Sequence, residues 1–300
     1  MGTTLIVTAP AKVNLHLAVG AVRDDGYHDV TTVLHALALH DTVTLTEGVQ
    51  YAFACEPDFG LPADENLAAR AARAMAARFG RTLDVAIAIE KRIPAGGGLG
   101  GASADAAAVL AGLATLWGID IDAIELVKVA RSLGADVPFF LGGGAALMTG
   151  RGDVLERRFP ALDAPVVLVK PAEPVPTAAA YAAFDGLAAL EASPDATNTA
   201  VSFALRSALD AGDVREVADA LVNTMTPASV SLVPAIGDAL ALVSGASGVL
   251  GAEMAGSGST VFGICADDET AMRVAALAGA AGYWSAATRL AAAGCTVHTV

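Results

Sequence analysis

Three cysteines in 300 residues, Cys55, Cys265 and Cys295, are too few and too widely spaced for a disulfide framework. No Cys-x-x-Cys and no His-x-x-x-His pair occurs, which argues against a structural zinc site and leaves any metal ligands unassigned. Positive charge is also scarce. Eighteen Lys and Arg stand against 32 Asp and Glu, a net charge of −14. Such a chain has no general positive field with which to hold nucleic acid. An anionic ligand would have to be met by a few locally placed groups.

Long apolar runs are missing as well. Mean hydropathy is high, +0.55, but 68 alanines carry it. No window of about 20 residues is both strongly apolar and uncharged; the nearest, 271–295, is interrupted by Arg273 and Arg289. The first residues carry neither a basic segment nor a long apolar core of the kind a secretory signal needs. The expectation is a cytoplasmic protein with no membrane partner.

What is present is ample apolar surface. Hydrophobic residues make up 54% and charged ones 17%, enough burial to offset the entropy of ordering the chain. At roughly 100–200 residues per domain the length suggests two domains. The sequence changes texture near Arg151-Gly-Asp153, so the expected domains are 1–155 and 156–300, both α+β. Strands are predicted at 4–8, 12–18, 30–46, 83–89, 166–169, 249–254, 260–265 and 295–300. Helices are predicted at 67–79, 103–117, 122–133, 178–190, 200–210, 213–223, 234–245 and 268–280, the last with room to extend to 293. Asn66 is placed to cap the first helix and Gly80 to end it.

The stretch Pro94-Ala-Gly-Gly-Gly-Leu-Gly-Gly-Ala-Ser103 runs from a strand into a helix. Glycines let backbone N–H groups converge, and a helix N-terminus adds partial positive charge. Together they make an anion cradle that needs no lysine. A Walker loop would end in Gly-Lys-Ser/Thr, and this one does not. Gly96, Gly98 and Gly101 formally fit the dinucleotide fingerprint, but a second helix follows where that fold requires a strand.

The same stretch resembles the second motif of the GHMP kinase superfamily. Ala9-Pro-Ala-Lys-Val-Asn-Leu-His-Leu17 resembles the first motif and Gly256-Ser-Gly-Ser-Thr-Val-Phe262 the third, in the family's order. Gly26-Tyr27-His28, Asp64-Glu65-Asn66-Leu67 and Gly134-Ala-Asp136-Val-Pro-Phe139 narrow the resemblance to members acting on a CDP-linked methylerythritol. It implies two domains with the site in the cleft between them: an N-terminal split β-α-β domain of ribosomal-protein type and a C-terminal ferredoxin-like sandwich. It also implies phosphoryl transfer from ATP, with Mg²⁺, to the 2-hydroxyl of that acceptor in non-mevalonate isoprenoid synthesis.

Residue by residue, the resemblance makes Asp136 the catalytic acid/base and Lys12 its cationic partner, with Asn14 near the same centre. Tyr27, His28 and Tyr181 would bind the cytosine, sandwiching it, and Thr177, Gly256, Ser257 and Gly258 would face the acceptor. Asn66, Lys91 and Pro94 would contact ATP, and Gly96, Gly97, Gly98, Gly100, Gly101 and Ser103 would hold its phosphates. Three places depart from the family pattern: Asp153 stands where Glu is usual, Asn223-Thr-Met-Thr226 stands where Asn-Asp and an acid are usual, and Ala102 and Ala104 replace smaller or hydroxylated residues in the loop. Another acceptor (homoserine, mevalonate or a sugar) and a non-catalytic nucleotide-binding module remain open, as does the choice between monomer and weak homodimer.

Overall fold

The structure is a computed structural model that describes residues 2–57, 60, 62–191 and 199–300. The first sheet is built on two long antiparallel strands, β1 (Thr4–Val22) and β2 (His28–Glu47). The sequence suggested two strands where β1 is one. Register shifts between Pro10 and Lys12 and between Asn14 and His16 carry pairing past the proline, which cannot donate to the ladder. Strand β3 (Ala52–Glu56), helix α1 (Leu67–Phe79) and strand β4 (Val85–Glu90) follow, with β3 and β4 as parallel neighbours.

Helix α2 (Gly101–Trp117) is the core helix of this domain, and its buried residues are mostly alanine. Small side chains let it lie close to the sheet: a Cβ at Gly112 would sit 2.6 Å from Leu45. The high alanine content is therefore close helix packing, not membrane propensity. Among the described residues no helix is long and apolar enough to cross a membrane. Helices α3 (Ile124–Leu133) and α4 (Val137–Gly142) lead to β5 (Ala145–Thr149) and β6 (Val154–Phe159), which extend the sheet beside β2.

The second sheet begins with β7 (Pro165–Lys170). Helices α5 (Thr177–Glu191), α6 (Phe203–Ala211) and α7 (Val214–Asp219) come next. The helix expected over 213–223 stops early because β8 (Val222–Asn223) pairs in parallel with His16 and Leu17 of β1. Helices α8 (Thr226–Leu232) and α9 (Ala235–Ser244) precede β9 (Val249–Met254), β10 (Val261–Cys265), α10 (Asp268–Ala280) and β11 (Trp284–Arg289). The order β11-β7-β10-β9, all antiparallel, with α9 and α10 packed on the sheet, is the ferredoxin-like arrangement. The last helix does not continue to 293: Tyr283 N–H closes on Ala278 O, and the next residues pair with β7. Strand β12 (Thr296–Thr299) then returns to the first sheet and pairs with β1. The two halves are thus stitched at both β8 and β12.

Candidate active site

A cavity of about 650 Å³ opens between the halves, within the range of small-molecule sites. Its wall holds every residue singled out from the sequence except Tyr27, His28 and Gly258.

Lys12 and Asn14 lie two apart on β1, so their side chains leave the same face. Lys12 Nζ donates to Asn14 Oδ1 at 2.9 Å and lies 3.7 Å from Asp136 Oδ2. The lysine side chain is 4% exposed and that of Asp136 33%, so the carboxylate reaches into the cavity while its cation stays behind it. Asp136 immediately precedes α4, whose Pro138 starts the helix without needing an N–H partner. Asn14 Oδ1 also accepts from Gly256 N–H at 2.8 Å, and its Nδ2 donates to Thr32 Oγ1 at 2.9 Å. That amide joins β1, β2 and the 256–259 turn at one point.

The glycine-rich loop is pressed between these elements. Lys12 N–H donates to Leu99 O at 3.0 Å. Gly98 has φ +75°, and a Cβ there would sit 2.1 Å from Ala255 O. Gly100, also at φ +75°, is the N-cap of α2 and supplies no side-chain cap, and the first turn of α2 carries no acid. The opening N–H groups of α2 therefore have no side-chain acceptor, the arrangement that suits an anion.

Lys91 is less available than expected. Its Nζ is bound by Asp41 and, at 2.6 Å, by Asp105, both buried. Burial works against its charge, but Asp105 and Asp41 outweigh it and raise its pKa. Burial pushes the Asp105 carboxyl well above the usual carboxylate range; Lys91 opposes this and Asp41 adds to it. Asp41 also accepts from the N–H groups of Arg92 and Ile93, pinning the start of the glycine-rich loop. Asn66 caps α1 by accepting from Ala68 N–H at 2.9 Å, and it lies on the cavity wall as well.

Two of the residues expected to hold the cytosine, His28 and Tyr181, meet in an aromatic cluster with Phe184. His28 packs on Tyr181 at 5.1 Å between ring centroids, a tilted contact. His28 Nε2 is bonded to Asp185 at 2.8 Å. Tyr27 is 57% exposed in the β1–β2 turn, under the guanidinium of Arg151. Gly258 lies behind the wall, its N–H donating to Ala255 O. Thr177 Oγ1 and Ser257 Oγ are 3.3 Å apart across the opening.

Several contributors were not foreseen: Thr32, Asp41, Asp105 and Arg151. A lone acid in the alanine run of α2 was a usable signal for Asp105, since unpaired carboxylates are almost never buried. Asp41 lies in a strand with no local mark. The departure at Asn223 also has a role: its Nδ2 donates to both Met254 O and Gly256 O at 2.8 Å, holding the third motif's turn. Asp153 is taken by Arg131 at 2.8 Å.

A two-domain α+β fold with a glycine-rich anion cradle and a lysine–aspartate pair in the intervening cleft defines a class of small-molecule kinase. The GHMP kinases N terminal domain matches residues 66–144, and the GHMP kinases C terminal domain matches residues 205–282. The chain belongs to the GHMP kinase family. It is 41% identical to the 4-diphosphocytidyl-2-C-methyl-D-erythritol kinase of Streptomyces coelicolor, covering 93% of both chains. It is 42% identical to the protein of the same name from Rhodococcus jostii, covering 92% of this chain and 89% of that one. A crystal structure of 4-(cytidine 5'-diphospho)-2C-methyl-D-erythritol kinase superposes with a TM-score of 0.77 at 34% identity, over 95% of this chain and 98% of that one.

Proposed function

We propose that this kinase transfers the γ-phosphoryl group of ATP to the 2-hydroxyl of 4-diphosphocytidyl-2-C-methyl-D-erythritol, a step of non-mevalonate isoprenoid synthesis. The observation that carries the chemistry is the Lys12–Asp136 pair, 3.7 Å apart, on the wall that also holds the glycine-rich loop. The relatives of that name, similar over nearly the whole chain, support the acceptor.

In this reading Asp136 accepts the proton of the acceptor hydroxyl as the phosphoryl group leaves ADP. Lys12 stands beside that carboxylate and offsets charge on the transferring oxygens. Asn14 acts through Lys12 and the 256–259 turn, fixing both. The opening N–H groups of α2 and the backbone of Gly96–Gly101 take the ATP phosphates. Asn66 and the Lys91 region border the nucleoside end. Among the described residues no three His, Cys, Asp or Glu side chains converge as a metal cage. Mg²⁺ would thus ride on the phosphate oxygens with few protein ligands, as this ion often does. We further propose a functional division near residue 155 and a monomeric or weakly dimeric protein, which sedimentation velocity would check.

The test is an acceptor panel with ATP and Mg²⁺, read as ADP release, with the product identified by phosphorus NMR. Turnover is expected with the CDP-linked methylerythritol and not with homoserine, mevalonate or galactose. Preference for an acceptor without cytosine would reject the assignment. ATP binding without turnover on any of them would favour a non-catalytic module.

A further inference from the structure

Three cations stand on the cavity wall: Lys12, Lys91 and Arg151. Two are matched, Lys12 by Asp136 and Lys91 by Asp41 and Asp105. Among the described residues Arg151 has no carboxylate within ion-pair distance of its guanidinium. The nearby Asp153 is occupied by Arg131 and by the Arg151 backbone N–H at 3.1 Å. In a chain with 32 acids and 18 basic residues, a cation facing a cavity without an acid is unusual.

The guanidinium lies over the Tyr27 ring, 4.6 Å from its centroid. A guanidinium over a ring face is held by the ring's electrostatics and not by the two-donor bonding that a carboxylate would engage. The contact with Tyr27 therefore leaves the planar fork, which can bond a phosphate through two donors, without an anionic partner. The backbone is fixed too: Arg151 bridges Val30, and Val30 N–H donates to Gly150 O at 2.7 Å. The turn that carries Arg151 is thus tied to the strand that starts at His28. Arg151 touches the aromatic cluster through Tyr27 and shares the cavity wall with Asp136 and Tyr181.

We propose that Arg151 binds the diphosphate of the acceptor. The inference rests on the CDP-linked acceptor put forward above. With its base at the Tyr27–His28–Tyr181 cluster and its reacting hydroxyl at Asp136, that molecule carries its diphosphate between the two. Arg151 is the unmatched cation on that stretch of wall.

The experiment compares cytidine and CDP by titration calorimetry in wild type, Arg151→Gln and Arg151→Lys, with the ATP site filled by a non-hydrolysable ATP analogue. Wild type should bind CDP more tightly than cytidine. Arg151→Gln should weaken CDP by about 10–100-fold, the size of a lost charge-assisted pair, and leave cytidine unchanged. Arg151→Lys, keeping the charge but not the fork, should fall between. In turnover, KM for the acceptor should rise with kcat and the KM for ATP nearly unchanged, the mark of lost uniform binding. Equal weakening of cytidine and CDP would overturn the proposal, since Arg151 would then only prop Tyr27. So would equal affinity of the two ligands in wild type, or undiminished CDP binding by Arg151→Gln. Failure of the acceptor assignment shows separately, as absence of turnover by wild type with the CDP-linked methylerythritol.

Discussion

Asp136 and Lys12 are 124 positions apart in sequence and 3.7 Å apart in space. If Asp136 takes the hydroxyl proton, Asp136→Asn keeps the shape and removes the base. A kcat lower by about 10²–10⁴-fold, with ATP affinity retained by calorimetry, is expected. Turnover near wild type would remove Asp136 from the chemistry. The Asp41–Lys91–Asp105 cluster makes a different prediction. Because the folded state raises the Asp105 pKa, its contribution to stability is full below the unfolded value near 3.8 and is lost as pH rises through the raised value. Asp105→Asn mimics the protonated acid. Urea denaturation should therefore show the variant gaining on wild type as pH goes from 5 to 8, and parallel curves would contradict the assigned shift. Residue identity marked Asp136 and Lys12 through their motifs. It could not show that the Lys91 charge is already spent on two carboxylates, because those acids come from β2 and α2.

The glycine-rich loop shows what an element adds. Its glycines were legible as an anion cradle. Less legible was that Gly98 is needed for its contact with the turn after β9, where a Cβ would meet Ala255 O at 2.1 Å. Gly98→Ala faces that clash and the cost of φ +75°, each about 1–3 kcal/mol. The variant should melt lower and bind ATP more weakly, both visible in a thermal shift with and without nucleotide. Unchanged melting and binding would mean that the two loops separate freely. The strands and helices missed from the sequence share a cause. β8 and β11 are held by pairing with strands distant in sequence, and in alanine-rich segments strand and helix patterns look alike.

For the whole molecule, the junction between halves includes His35 on β2, fully buried. Its Nε2 accepts from Leu162 N–H at 3.0 Å just before β7, and its Nδ1 lies 2.9 Å from Ala36 O. That pair of bonds requires the neutral ring. Burial, only partly offset by the Ala36 carbonyl, pushes its pKa down to about 4. A depressed histidine stabilises the fold above its unfolded value near 6.5 and loses that contribution as pH falls toward 4. His35→Gln, which keeps an acceptor and cannot protonate, should lose less stability between pH 6.5 and 4 than wild type, measured by urea unfolding. Equal slopes would place the acid sensitivity elsewhere.

The sequence alone determined the three motifs, the α+β class and the acidic balance, because these depend on residue types at short spacing. It also carried the expectation that anions would be held by backbone and few cations. The tertiary structure decided which cations remain unmatched, since pairing depends on side chains from different strands and helices meeting in one place. It moved Lys91 into a closed ion cluster and put Arg151 at the cavity, where no carboxylate among the described residues pairs with its guanidinium. It also put His28 against Tyr181. A net charge counts such groups, and only the fold arranges them.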